Sequence, residues 1–244
     1  MLNPSTAACY STSMNASDNA TPHKAADYDV SVRQTIPFYD AIQLQTVDLV
    51  LAARPEAECW LDTGCGTGYL VELAIPYFPL TGFVLTDPST AMLDQARRRL
   101  KNHGPDRVKF LPPIGNEDLS TCEHQVHPQV ITAILCNHYL HREGRQAAIE
   151  ASYRLLAKDG LFVTVENVSP ATEADVVLGL ERWRRFQLAQ GRSPSVVADH
   201  VKRFNTEYFP ITVDEHLGLL RRAGFRNVDL FWWSYMQAGF YAFK

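Results

Sequence analysis

Between residues 59 and 165, short apolar runs alternate with longer segments in which apolar residues recur at helical spacing. The runs have the length of β-strands and the longer segments have the length of helices. This alternation is typical of crossover units around a parallel sheet, so it predicts an α/β fold. The predicted strands are 59–61, 82–86, 108–111, 130–135 and 161–165, and the predicted helices are 67–77, 90–102 and 142–157.

Two helical regions are predicted outside this core. Residues 25–55 carry apolar positions at helical spacing, and Pro37 splits them into two helices that we interpret as an N-terminal lid. Residues 170–210 predict two further helices, 173–189 and 195–204, inserted as a cap over the site.

The two ends of the chain differ in character. Residues 1–24 are rich in Ser, Thr, Asn and Ala, which predicts a disordered tail. The other end predicts a helix at 213–223 followed by an antiparallel pair of aromatic strands at 228–233 and 236–243. We therefore expect one domain over residues 25–244, and the aromatic strands could supply the interface of a homodimer.

Composition narrows the class of protein. A chain of 244 residues with 46% hydrophobic and 20% charged residues suits a single globular domain. No stretch reaches the roughly 18 apolar residues of a transmembrane helix, so no membrane span is expected. The net charge of -4 argues against broad docking onto nucleic acid, which needs a basic face.

The five cysteines are scattered and contain no Cys-x-x-Cys pair. This favours reduced thiols in a cytoplasmic protein over a disulfide framework. Cys122, His124 and His127 superficially resemble metal ligands, but their spacing fits no regular zinc site, and we expect no metal.

The strongest motif is the run 61–68, Leu-Asp-Thr-Gly-Cys-Gly-Thr-Gly, which follows a strand and opens a helix. Alternate glycines allow a sharp turn and a close approach of the backbone to a ligand. Dinucleotide oxidoreductases use a related turn at the same place, but Tyr69 stands here instead of their last glycine. Asp62 is better suited to an ammonium group than to a pyrophosphate, which favours S-adenosylmethionine as the cofactor.

Further polar groups follow the next predicted strands. Asp87, which precedes Pro88, is placed to accept hydrogen bonds from a ribose diol. The alternative is that its negative charge interacts only with the dipole of the following helix. Met92 would pack on adenine. Asn116 and Glu117 lie in a predicted loop and could form hydrogen bonds with the amino edge of adenine. The alternative is that their side chains are exposed to solvent.

These motifs and their order resemble the class I S-adenosylmethionine-dependent methyltransferases, from residue 26 onward. The resemblance implies a doubly wound, Rossmann-like seven-stranded sheet whose last strand is antiparallel. Within that superfamily, residues 32–39 and 220–225 look like those of the carboxy-S-adenosylmethionine synthase group, and Tyr39 would then lie over the methionyl end of the cofactor. The remaining cofactor-binding residues predicted from the turn and from strand four are Thr63, Gly64, Cys65, Gly66, Gly68, Cys136 and Asn137.

Methyl transfer is an in-line displacement that needs a base only for a protonated acceptor. The candidate bases are His138, His141 and Glu166, which follow predicted strands four and five. In the cap, we predict that Trp183, Arg184 and Arg203 bind the acceptor, and the arginines suggest that it is anionic; a solvated helix face is the alternative.

The main hypothesis is therefore a methyltransferase acting on a small molecule. The alternatives are a carboxy-S-adenosylmethionine synthase linked to modification of the tRNA wobble uridine, and a non-catalytic protein that binds the cofactor or regulates a partner.

Overall fold

A seven-stranded sheet runs through the protein in the computed structural model, which describes residues 19–122 and 126–244. The strand order is β3-β2-β1-β4-β5-β7-β6, and only β7 runs antiparallel to its neighbours. The α/β class and the antiparallel last strand predicted from the sequence are confirmed. The strands are β1 Cys59–Thr63, β2 Gly82–Thr86, β3 Val108–Phe110, β4 Val130–Ile134, β5 Leu161–Asn167, β6 Arg226–Ser234 and β7 Gln237–Phe243.

Helices cover both faces of the sheet, as expected for a doubly wound fold. One buried cluster joins the sheet to α5 and α8 through residues such as Ile149 and Leu220. The other joins it to α2, α3 and α4 through Val50, Val71 and Leu93. The helices are α1 Tyr28–Thr35, α2 Tyr39–Ala53, α3 Tyr69–Ala74, α4 Thr90–Arg99, α5 Arg142–Leu155, α6 Glu173–Ala189, α7 Pro194–Lys202 and α8 Val213–Arg222.

The lid and the cap pack against each other at the carboxyl edge of the sheet. A third cluster of buried side chains contains Val32 and Ile36 of the lid together with Trp183 of α6. The indole Nε1 of Trp183 donates to the carbonyl oxygen of Thr35 at 2.6 Å, which ties the two regions directly. The site below them is therefore covered on one side by helices from distant parts of the chain.

Two boundaries differ from the sequence predictions. The predicted disordered tail ended at residue 24, but residues 19–24 are described: His23 is buried, and Asn19 Nδ2 donates to its carbonyl oxygen. Strand β5 runs two residues further than predicted, and Glu166 and Asn167 pair with Ala238 and Gln237 of β7. Both residues are consequently fixed inside the sheet.

No helix among the described residues is long and apolar enough to cross a membrane.

Candidate cofactor and substrate site

The glycine turn after β1 has the geometry that its sequence predicts. Gly64 and Gly66 have positive φ angles of 60° and 53°, a conformation that side chains disfavour. A Cβ on Gly64 would lie 2.6 Å from Cys136 Cβ, whereas the space beside Gly66 is open. The Gly66 backbone N donates to Asp87 Oδ2 at 2.9 Å, which joins the turn to the end of β2. The turn thus brings bare backbone to the edge of a cavity.

This cofactor cavity has a volume of about 280 Å³ and lies at the carboxyl ends of β1, β2 and β4. Open α/β sheets place ligands at this edge. The predicted cofactor residues that line it are Gly64, Gly66, Asp87, Pro88, Met92, Asn116, Glu117 and Cys136.

Asn116 is held in one orientation inside the cofactor cavity. Its Nδ2 donates to Asn137 Oδ1 at 2.7 Å and to Cys136 Sγ at 3.1 Å. Its Oδ1 is buried and has no hydrogen-bond partner among the described residues. A buried acceptor without a donor is costly, so this atom fits a ligand that brings an N–H, such as the amino group of adenine.

Asp62 faces a smaller cavity of about 30 Å³ beside the turn, with Tyr39, Cys65 and Tyr28. Thr132 Oγ1 donates to Asp62 Oδ1 at 2.6 Å, and burial raises the pKa of this carboxyl to about 7. A cation placed here would restore the ionised form, because opposite charges stabilise each other in a buried site. The α-ammonium of an amino acid nucleoside matches this position.

Three predicted cofactor residues line none of these cavities. Gly68 begins α3, and a Cβ there would meet Ala96 of α4. Thr63 is buried in β1, and Asn137 reaches the cofactor cavity only through its hydrogen bond to Asn116. These contacts shape the site, and the binding of the cofactor by these three residues stays a prediction.

An inner cavity of about 30 Å³ adjoins the cofactor cavity, and Tyr28, Leu135 and Tyr139 line both. Arg203 and Tyr208 from the region after α7 complete its wall. The Tyr208 hydroxyl is buried without a hydrogen-bond partner among the described residues. This cavity therefore presents polar groups of the cap next to the cofactor.

Sequence reasoning identified Arg203 but missed the tyrosines and residues 19–21, which also line the cofactor cavity. These residues follow no motif. The one available signal was that Tyr28 lies within the predicted lid, residues 25–55.

His138 and Glu166 form a buried pair rather than a free base. His138 Nδ1 lies 2.9 Å from Glu166 Oε2, and Asn167 Nδ2 lies 3.0 Å from His138 Nε2. Thr164 Oγ1 donates to Glu166 Oε1 at 2.8 Å. Burial alone would favour the neutral acid, but hydrogen bonds from His138 and Thr164 outweigh it and lower the pKa of Glu166.

Glu166 is therefore placed to orient His138, which lines the inner cavity, and its role as a catalytic base stays a prediction.

Three further predicted residues lie away from the cavities. His141 is exposed and stacks on Phe209 at the start of α5, because it precedes the helix on its outer side. Trp183 is buried between lid and cap, and the side chain of Arg184 is 43% exposed and pairs with Glu181. The catalytic role of His141 and the substrate-binding roles of the other two stay predictions.

The described residues contain no cluster of three or more side chains suited to holding a metal ion. Of the metal-like group in the sequence, His124 and the side chain of Cys122 lie outside the described residues.

Comparisons with known proteins also point to a methyltransferase-like protein. Residues 61–162 match the profile of a methyltransferase domain family. The chain is 25% identical over 227 residues to a carboxy-S-adenosyl-L-methionine synthase of Campylobacter jejuni, covering 90% of this chain and 91% of that protein.

Solved methyltransferases share the fold. A putative O-methyltransferase of Nostoc punctiforme superposes with a TM-score of 0.64 and 14% identity, over 90% of this chain and 59% of that one. Human N-acetylserotonin methyltransferase, solved in complex with S-adenosylmethionine, superposes with a TM-score of 0.56 and 17% identity, over 90% and 58%. The chain thus spans less than two thirds of these larger proteins. Residues 61–162 thus match a methyltransferase domain family, and the chain has the seven-stranded α/β fold of the solved methyltransferases.

Proposed function

We propose that this protein transfers the methyl group of S-adenosylmethionine to a small organic acid bound by Arg203. The observation that carries the proposal is the inner cavity, which shares Tyr28, Leu135 and Tyr139 with the cofactor cavity. Arg203 is the only lysine or arginine among the described residues that line either cavity. A guanidinium presents a planar fork of donors that matches a carboxylate.

The cofactor would be held by groups with complementary chemistry. Asp62 would accept the α-ammonium, Asp87 the ribose hydroxyls, and Asn116 Oδ1 the adenine amino group. Asp87 already accepts the backbone N–H groups of Gly66 and Ser89, which fixes its carboxylate at the rim of the cavity. Bound in this way, S-adenosylmethionine supplies an electrophilic methyl group on a positively charged sulfur.

The state of the histidines favours an acceptor that is already ionised. His138 is occupied by Glu166 and Asn167. Burial, with nearby arginines, lowers the pKa of His23 to about 4 and that of His200 to about 3, so both are neutral and weak bases. A carboxylate oxygen needs no proton removed at neutral pH, since its pKa lies near 4.

The reaction is then a single displacement. A lone pair of the acceptor oxygen forms a bond to the methyl carbon while the carbon–sulfur bond breaks, and the electron pair of that bond stays on sulfur. The products are a methyl ester and neutral S-adenosylhomocysteine. The contribution of the protein is alignment and the exclusion of water, for which the closed lid and cap are suited.

A second candidate is carboxylation of the sulfonium methyl group. It is favoured by the relative named for carboxy-S-adenosylmethionine synthesis and by Arg203 in the inner cavity, whose guanidinium matches a carboxylate. The carboxylic acid donor would release carbon dioxide, the electron pair of its broken carbon–carbon bond would take up a proton from the sulfonium methyl group, and that methyl carbon would form a bond to the carbon dioxide. Arg203 would then bind the new carboxylate, and the predicted link to tRNA modification would depend on this product.

Mass spectrometry of both products separates the candidates. Purified protein is incubated with S-adenosylmethionine carrying a labelled methyl group and with a panel of small carboxylic acids. S-adenosylhomocysteine together with a labelled ester supports methyl transfer, whereas a nucleoside heavier by one carbon dioxide supports the second candidate. Cofactor binding without either product contradicts both and supports the non-catalytic alternative.

The matched variants are Arg203→Gln, which should raise the KM for the acid about tenfold, and Arg184→Gln, which removes an arginine of the cap outside both cavities and should not. Equal activity in the two variants would contradict the role of Arg203.

A further inference from the structure

A groove of about 810 Å³ lies outside the cofactor and inner cavities, between the start of α5 and helix α8. Arg142, Arg145, Arg222 and Glu215 line it. Three positive charges against one negative charge leave a local excess of two positive charges, in a chain whose net charge is -4. The sequence analysis assigned no function to these arginines.

The arginines of the groove have no acidic partners within hydrogen-bond distance. No ion pair between described residues includes Arg142, Arg145 or Arg222. The Glu215 carboxylate is already engaged, because it accepts from the backbone N and the hydroxyl of Thr212 at the start of α8. The positive charge of the groove is therefore available to a ligand.

Arg145 is the central observation. The residue is only 2% exposed, and burial lowers the pKa of its guanidinium. Nε donates to the carbonyl oxygen of Asn137 at 3.3 Å and Nη2 to that of Phe209, whereas Nη1 has no partner among the described residues. Glu166 and Glu215 lie near enough to stabilise this charge in part, but neither forms an ion pair with Arg145, so a ligand anion in the groove would further offset the cost of burying it.

The start of α5 adds a second source of positive potential. His141 is the N-cap of this 14-residue helix, and its side chain makes no capping hydrogen bond. The first backbone N–H groups of a helix have no hydrogen-bond partners within the helix. The helix dipole also favours a negative charge at the N-terminus. Arg142 and Arg145 lie in the first turns of the same helix.

We propose that this groove is a binding site for a phosphate-bearing small molecule. A phosphate monoester carries a charge of about -1.5 to -2 at neutral pH, which balances the excess charge of the groove. Arginine forks match phosphate oxygens. The apolar side chains of Ile211 and Leu219, and the ring of His141 stacked on Phe209 at 3.9 Å, leave a surface for the organic part of the ligand.

Calorimetry tests the site with two probes, inorganic phosphate and uridine monophosphate. The full chain is first saturated with S-adenosylhomocysteine, so that the nucleotide cannot occupy the cofactor cavity. The wild-type protein should bind both probes and bind the nucleotide more tightly. Arg142→Gln and Arg222→Gln should each weaken binding about tenfold, as expected for the loss of one charged hydrogen bond.

Two controls locate the binding. Arg184→Gln removes an exposed arginine elsewhere, and Arg203→Gln removes the arginine of the inner cavity; both should bind phosphate like the wild type. Binding that is lost in Arg203→Gln but retained in Arg142→Gln would overturn the proposal, as would the absence of binding by the wild type. Circular dichroism of each variant, matching that of the wild type, shows that the fold is retained.

Discussion

The cofactor cavity and the inner cavity share a wall but are built in different ways. Gly64 and Asp87 of the first follow the consecutive strands β1 and β2 and are 23 positions apart in the sequence. The inner cavity adds Arg203 and Tyr208, which are distant in the sequence from the lid residues beside them. One wall of the first is thus formed by local backbone geometry, whereas Arg203 and Tyr208 reach the second only when lid and cap pack together. The two should therefore respond separately to substitution.

The largest expected effect comes from Gly64→Ala. The new Cβ would lie 2.6 Å from Cys136 Cβ at a φ of 60°, so the turn must shift. We expect S-adenosylmethionine affinity to fall by more than about 100-fold, since such strain costs roughly 1–3 kcal/mol in addition to the displaced ligand contacts. Calorimetry provides the measurement. Gly104→Ala, where a Cβ meets nothing within 4 Å, is the matched control and should bind normally.

Asp62→Asn tests the charge of the same cavity without changing its shape. Loss of a charged hydrogen bond to the ammonium group should weaken cofactor binding about 10- to 100-fold. Asp94→Asn, on the exposed face of α4, is the control and should bind like the wild type. Equal affinity in Asp62→Asn and the wild type would show that the ammonium group lies elsewhere.

The pH dependence sharpens this result. Burial raises the pKa of Asp62 to about 7 in the absence of a ligand, and binding requires the ionised carboxylate. Affinity should therefore rise with pH towards 8 and fall about tenfold between pH 7.5 and pH 6, because the protonated fraction increases. Titrations in buffers of different ionisation enthalpy should show proton release near pH 6.5. The dependence should be absent in Asp62→Asn.

Arg203→Gln should affect the inner cavity alone. We expect the KM for the acid substrate to rise about tenfold, as for the loss of one charged contact, while the affinity for S-adenosylmethionine stays unchanged. A parallel loss of both would show that the two cavities act as one unit. The readout is a steady-state assay combined with calorimetry of the cofactor.

Tyr208→Phe has the smallest expected effect. The hydroxyl is buried without a partner among the described residues, so its removal should leave the free energy of unfolding equal or slightly higher. If the hydroxyl donates to the bound acid, KM should still rise about threefold, a change of roughly 0.6 kcal/mol. A clear drop in stability would instead indicate a structural hydrogen bond.

The same contrast explains what could be read from the sequence. Asp62, Gly64 and Asp87 were predictable because strand ends and glycine spacing determine where they point. Glu166 lies inside the sheet rather than in the predicted loop after it, because β5 continues to Asn167, two residues beyond the predicted strand end.

The acceptor side offered no comparable local signal. Trp183 lies on a long amphipathic helix, and periodicity cannot distinguish a face packed on the lid from one facing a ligand. Tyr28 and Tyr139 belong to no motif, and their proximity depends on tertiary packing alone. Arg203 was predicted from its charge rather than from its position.

The segment 19–21 forms part of the wall of the cofactor cavity, and Arg203 Nη2 donates to the carbonyl oxygen of Ala20 at 3.1 Å. A nucleoside that passes this segment would disturb the arginine that we propose binds the acid substrate. Turnover and the exchange of the nucleoside would then require different positions of segment 19–21. We expect a pre-steady-state burst, in which the first turnover is fast and later ones wait for the spent nucleoside to escape.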